Sequence, residues 1–332
     1  MLYCEVNRND YIIFRIHSHD STRYNQIRLV EMEFKATLSN SRILRGVIEA
    51  FSYLQEETNL FATPAGMKMS DIDDSRVAML YAELQKELFV DYSCPEEFKI
   101  GVNIADMIKI LRRAKSSDKI ILEHQSENPN DILIRMISDK SKRTFRLKSK
   151  TVSDMGGMEE EEKKEDILQQ LEETFRDKFT ASITMDGTML DEIMKDAMIV
   201  SDTIRVHVLQ AENVINFVAS DETGEVEVEI DLDGGVLDYN VTGDSEGTYA
   251  LNFLDNIIKI QSVIDNINIS IGSNIPIKLE GNILTESGDG TGGKVVYLLA
   301  PRVDDDDDDF EEDFEPGDFD NTFDEEFEED FN

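Results

Sequence analysis

Four short stretches place apolar residues three and four apart, and they fall as two pairs, one in each half of the chain. In 41–51 the set is Ile43, Leu44, Val47, Ile48 and Phe51; in 104–114 it is Ile104, Met107, Ile108, Leu111 and Ala114. In 189–198 it is Leu190, Ile193, Met194 and Ala197, and in 253–263 it is Phe253, Leu254, Ile257 and Ile258. That period puts each set on one face of an α-helix. Each stretch is followed by short apolar or alternating runs bounded by Gly, Asp and Asn, which read as strands. These runs are 67–84 after the first, 119–125 and 131–137 after the second, 214–220 and 224–230 after the third, and 267–272, 276–281 and 294–300 after the fourth. Helices this short cannot bury a stripe by themselves, so they must lie on the sheets that these runs build. The order helix–strands–helix–strands, given twice, predicts an α+β duplicate: two similar domains, each with two helices on antiparallel sheets.

Composition divides the rest of the chain. Between the repeats, 153–158 reads SDMGGM and 159–166 reads EEEEKKED, and 167–175 (ILQQLEETF) has the material for a short helix. We read 33–148 as domain 1, 149–177 as an interdomain connector and 178–303 as domain 2. Residues 1–32 form an N-terminal extension in which 11–16 (YIIFRI) and 26–32 (QIRLVEM) have strand character and would pair as a hairpin; an upstream start-site error is the alternative reading. Residues 304–332 hold 18 acidic residues, no basic one and six phenylalanines, so self-repulsion and the lack of aliphatics predict a disordered tail. The whole chain carries 33 Lys+Arg against 71 Asp+Glu, a net charge of −38, and the tail supplies 18 of those negative charges. Such an average would repel nucleic acid. The helix faces differ from it: Arg42 and Arg45 flank the first, Lys109, Arg112, Arg113 and Lys115 mark the second, and Lys195 and Lys259 take matching places on the third and fourth. The third also carries Asp191, Glu192 and Asp196.

Several classes are disfavoured. No run approaches the length of a membrane span, and MLYCEVNRND lacks a secretory pattern, so a cytoplasmic protein is expected, or a nuclear one in a eukaryote. Cys4 and Cys94 are too few for a disulfide framework. No nucleotide-binding, metalloprotease or hydrolase motif occurs, and His17 and His19 lack companion ligands, so neither enzyme activity nor a cofactor or metal is expected. Asp71, Asp73 and Asp74 form the tightest carboxylate cluster outside the acidic blocks.

The stretches FKATLSNSRILRGVIEAF, FATPAGMKMSDIDDSRVAML, FKIGVNIADMIKILRRAKSSDKIIL, MLDEIMKDAMIVSD, TGEVEVEI, IPIKLEGNI and GKVVYLLAPR together resemble the sliding clamps of the proliferating cell nuclear antigen (PCNA) family, with a leaning to its archaeal branch. The resemblance runs from Glu33 to Arg302 in the family's order. It implies the DNA-clamp fold: a trimeric, pseudo-sixfold ring of two-domain subunits around duplex DNA, tethering polymerase and other replication and repair enzymes as a processivity factor. By the same resemblance Arg45, Lys109, Arg112, Lys195 and Lys259 face DNA. Arg113 and Lys115 would reach across a subunit boundary toward Asp191, Glu192 and Asp196. An edge strand carrying Arg143 and Phe145 would pair with one carrying Val226 and Val228. A pocket from Ile72, Val77, Pro276, Leu298, Leu299, Ala300 and Pro301 would take the PCNA-interacting peptides of polymerase, clamp loader, flap endonuclease and ligase. Leu298 stands where the family often has an aromatic. Other readings are a subunit that works only in a heterotrimer, or an acidic noncatalytic chaperone or DNA mimic. The long connector, the extension and the tail depart from the family pattern. The tail reads either as solubilising or as an interaction arm that could fold back on the peptide pocket.

Overall fold

The computed structural model describes residues 2–6, 12–16, 32–125, 128, 130–149, 158–222, 224–264, 266–285 and 291–302, with side chains described from residue 34 onward at most of these positions. β1 (Leu2–Val6) and β2 (Ile12–Ile16) form a separate antiparallel hairpin with Leu2 opposite Ile16. The expected partner of 12–16, residues 26–32, lies outside the described residues except for Met32; the pairing described is with residues 2–6. The acidic tail also lies outside them.

The first half contains β3 (Met32–Leu38), α1 (Arg42–Phe51), β4 (Glu57–Thr63), β5 (Gly66–Ile72), β6 (Ala78–Gln85), β7 (Asp91–Ser93), β8 (Phe98–Asn103), α2 (Ile104–Leu111), β9 (Lys119–Gln125), β10 (Asp131–Ser138) and β11 (Ser141–Lys148). The connector carries α3 (Met158–Phe175). It is longer than the short helix expected from 167–175, because Glu and Lys are good helix formers and the acidic block continues the helix toward its N-terminus. The second half contains β12 (Ala181–Asp186), α4 (Gly187–Val200), β13 (Thr203–Leu209), β14 (Val214–Ser220), β15 (Glu225–Asp231), α5 (Leu232–Gly235), β16 (Asp238–Val241), β17 (Ser245–Ala250), α6 (Leu251–Ile258), β18 (Asn266–Ile271), β19 (Ile277–Leu284) and β20 (Thr291–Leu299). A 3₁₀ turn, Lys259–Ser262, prolongs α6.

The helices start where strands end. Asn103, the last residue of β8, caps α2 by accepting the Asp106 N–H at 2.9 Å. Asp186, the last residue of β12, caps α4 by accepting the Thr188 N–H at 2.7 Å, and that bond holds its carboxyl below the usual range. Each helix then buries the stripe read from sequence: Leu44, Val47, Ile48 and Phe51 on α1, Met107 and Leu111 on α2, Leu190 and Met194 on α4, Leu254 and Ile258 on α6. At about 1.5–3 kcal/mol for each large side chain, this burial rather than helix propensity holds such short helices.

Among the described residues the remaining strands form three antiparallel sheets. One is ordered β11-β10-β9-β3-β7, one β15-β14-β13-β17, and a nine-stranded sheet, β16-β12-β18-β19-β20-β6-β5-β4-β8, runs through both halves. Its seam is the pairing of β6 with β20, from Leu84 opposite Gly293 to Ala78 opposite Leu299. Backbones approach closely there: a Cβ at Gly293 would lie 2.1 Å from the Glu83 carbonyl oxygen. The seam strands divide their side chains by alternation. Leu80, Ala82, Val295, Tyr297 and Leu299 enter the main core under the helices, while Met79, Tyr81, Val296 and Leu298 point to the opposite face and pack with Ile167 and Leu168 of α3.

Candidate nucleic-acid interface, subunit edges and partner groove

The helices lie side by side in one layer. α1 packs against α2 on one flank and the 3₁₀ turn after α6 on the other, and α4 packs against α6, so the layer crosses the seam. Ser41, at the start of α1, donates its hydroxyl to the Lys115 carbonyl just past α2, at 2.9 Å. On the outward face Arg42, Lys109, Arg112, Arg113 and Lys115 are exposed and Arg45 is half-buried. Two of the expected DNA-facing cations have acidic neighbours in the same chain: Lys109 with Asp106 at 2.9 Å and Arg112 with Glu49 at 3.0 Å. These pairs are solvent-exposed and so worth about 0–1 kcal/mol each, weak enough for a phosphate to compete. In the second half, Lys195 pairs with the buried Asp191 at 2.5 Å, and that hydrogen bond raises the pKa of the ammonium. Glu192 and Asp196 are exposed beside it. The side chain of Lys259 is outside the described set. The layer is therefore basic over α1 and α2 and mixed over α4.

Two sheet edges carry the residues expected at a subunit boundary. Among the described residues β11 and β15 each have a strand on one side only. On β11, Lys142, Arg146 and Lys148 point outward, while Arg143 and Phe145 are half-buried and Leu147 is buried. On β15, Glu225, Glu227 and Glu229 point outward, while Val226 and Val228 are half-buried and packed against the core. One edge is thus a basic ladder over an apolar inner face, and the other an acidic ladder over the same. Arg143 is also held within the chain, its guanidinium donating to the Arg113 carbonyl at 2.8 Å and to the buried Asp118 carboxylate at 2.7 Å, which fixes the end of α2 to β11. The basic ladder is anchored from below by Asp131, which is buried and accepts from Lys148 at 2.6 Å and Arg146 at 2.8 Å.

The expected peptide pocket is divided. Ile72 and Leu298 lie under α3, in a cluster with Met79, Tyr81, Val296, Ile167, Leu168 and Leu171. Val77, Ala300 and Pro301 stay half-buried beside it, linked by the Ala300 N–H to Val77 carbonyl bond at 2.8 Å, while Leu299 faces the main core and Pro276 is buried. Lys278 ties the helix down through Glu172 at 3.3 Å and also meets Glu280 at 3.0 Å. The α3 contacts escaped the reading of the sequence. Their signal was 294–300, whose apolar run is continuous rather than alternating, the pattern of a strand covered on both faces. Of SDIDDS, Ser70–Ile72 finish β5 and the rest is the turn into β6: Asp73 accepts the N–H groups of Val77 at 2.8 Å and Ala78 at 2.6 Å, while Asp71, still in the strand, accepts from the Thr58 hydroxyl.

Residues 32–160 match the family model for the proliferating cell nuclear antigen N-terminal domain, and 174–301 match that for its C-terminal domain. The chain belongs to the PCNA family. It is 32% identical over 275 residues to a protein of Thermococcus onnurineus named DNA polymerase sliding clamp, covering 82% of this chain and 100% of that one. A Pyrococcus furiosus protein of the same name is 31% identical with the same coverage. Among solved structures, a PCNA from Thermococcus kodakaraensis superposes with a TM-score of 0.66 at 22% identity, over 81% of this chain and 100% of that chain. A PCNA2–PCNA3 complex from Sulfolobus tokodaii gives 0.67 at 22% identity, over 81% and 99%. The two-domain fold of the PCNA family is thus the fold of this chain.

Hydrogen bonds from Lys148 and then Arg146 hold the Asp131 carboxyl below its ordinary range. A depressed folded-state pKa stabilises above the unfolded value, near 3.9, and that contribution is lost as pH falls through the depressed value. Asp131→Asn is expected to lower the unfolding temperature at pH 7 and to flatten the loss of stability below about pH 4, as read by thermal melts across pH. An unchanged acid limb would show that the ladder is not anchored here.

Proposed function

We propose that this chain is a DNA sliding clamp, a noncatalytic processivity factor that closes as a homotrimeric ring around duplex DNA and tethers DNA polymerase and other replication and repair enzymes. Family membership and the names of the relatives support the clamp reading. The observation that carries ring closure is the opposition of charge between the two sheet edges. An antiparallel pairing of β11 with β15 of the next copy would cover both edges, set Phe145 near Val226 and Val228, and bring a row of Lys and Arg beside a row of Glu. Cross-strand pairs of opposite charge contribute about 0.2–1 kcal/mol each, whereas β15 against β15 would set like charges together. The interface is therefore head-to-tail, and head-to-tail contacts that close make rings.

Both complementary edges lie on one chain, which favours a homotrimer over a subunit that needs different companions. Asp191, Glu192 and Asp196 on α4, with Arg113 and Lys115 beyond α2, would add ion pairs at the same boundary. Inside the ring Arg45, Lys109, Arg112, Lys195 and Lys259 would meet phosphates without reading bases, as a sliding protein requires. Polymerase, clamp loader, flap endonuclease and ligase would dock through peptides on the outer face near Ile72, Val77, Pro276, Leu298, Ala300 and Pro301.

Reversing Glu225, Glu227 and Glu229 together to lysine is expected to leave a monomer with an unchanged circular dichroism spectrum; a trimer that persists with the same salt sensitivity would remove β15 from the contact. Glu49→Gln releases Arg112 and is expected to strengthen retention on duplex DNA and to steepen its salt dependence. An unchanged salt slope in a titration on linear duplex would place Arg112 away from phosphate.

A further inference from the structure

We infer that α3 is a resident ligand of the partner groove, and that partner peptides bind by exchanging with it. The inference rests on the clamp reading and deepens it. The outer face of the β6–β20 seam presents Met79, Tyr81, Val296 and Leu298, with Ile72 of β5 beside them. Without the helix these residues would face water. Here they are covered by Ile167, Leu168 and Leu171, which fall on one side of α3, and the next residue, Glu172, reaches Lys278 at 3.3 Å. Two of the residues expected to receive a partner's anchors, Ile72 and Leu298, are thus already occupied by the chain's own connector.

The seat and its hold differ in kind. The seat is built from strands at the centre of a nine-stranded sheet, each paired on both sides. The cover is a single helix whose N-terminal turns are acidic, on a connector that interrupts the two domains, and its ion pair to Lys278 is shared with Glu280. A cover of this design can leave without disturbing the sheet, and local elements of low stability are the ones that move in binding. The occupant that replaces it is defined by what it must reproduce: one helical turn of aliphatic or aromatic anchors followed by a carboxylate for Lys278. Because only the uncovered fraction binds, the apparent affinity of any such peptide is lowered by the closed population.

The test uses the full-length protein and a fluorescein-labelled synthetic peptide with one helical turn of leucine and phenylalanine anchors followed by glutamate. In hydrogen exchange at saturating peptide, amides of 167–175 are expected to exchange faster than in the free protein while those of β6 and β20 stay protected; unchanged or slower exchange at 167–175 would overturn the inference. Leu168→Asp with Leu171→Asp is expected to tighten peptide binding about tenfold by emptying the seat, and a weaker complex would mean that α3 is part of the binding wall instead. Binding to neither protein also overturns the inference; a trimeric mass in the same samples would leave the ring reading standing.

Discussion

Pairing of β6 with β20 makes one sheet out of two halves, and the placement of everything functional follows from it. The seam sets α1 beside the turn that prolongs α6, so helices from both halves share a layer. The two smaller sheets, one in each half, each end among the described residues on a strand paired on one side only, β11 in one and β15 in the other. Because β20 and β6 are covered on both faces, the seam buries apolar side chains twice over, and the close approach at Gly293 leaves no room for a side chain between them. A continuous sheet couples the two halves more closely than two separately folded domains would be coupled, as the proposed ring closure requires.

Electrostatics then separates the surfaces of a very acidic protein. Cations line the outward side of α1, α2 with the residues just past it, and β11, while the outward side of β15 is all carboxylate and α4 sets carboxylates beside Lys195. Under the proposed clamp reading, weak exposed pairs such as Arg112 with Glu49 would temper phosphate binding by the helix face, as suits a contact that must be broken and remade at every step. The ladder on β11 is held differently, through the buried carboxylate of Asp131.

The helices were legible because an amphipathic stripe has a single physical reading: 41–51, 104–114, 189–198 and 253–263 lie on α1, α2, α4 and α6, with boundaries shifted by a few residues where caps at Asn103 and Asp186 or a tightened last turn decide the ends. The alternating and apolar runs became β5, β6, β9, β10, β14, β15, β18, β19 and β20. Strands such as β13 and β17 were not singled out, and the partner of a strand is not encoded in its own period, so neither the β6–β20 seam nor the β1–β2 hairpin could be read off. At the candidate site, residue identities came from the resemblance, but their neighbours did not. That Asp191 holds Lys195, that Asp118 holds Arg143, and that α3 lies on Ile72 and Leu298 depend on contacts between residues far apart in sequence or on a rotamer, and a helix rich in Glu and Lys gives little hint of the few apolar side chains with which it docks.

Light scattering behind size exclusion, on the full-length protein over a range of concentration and salt, tests the central claim most directly. Closure of β11 on β15 predicts a mass three times the 37.8 kDa of one chain, falling toward a single subunit only at high salt and low concentration. A monomer at every concentration and salt would contradict closure by a chain pairing with itself.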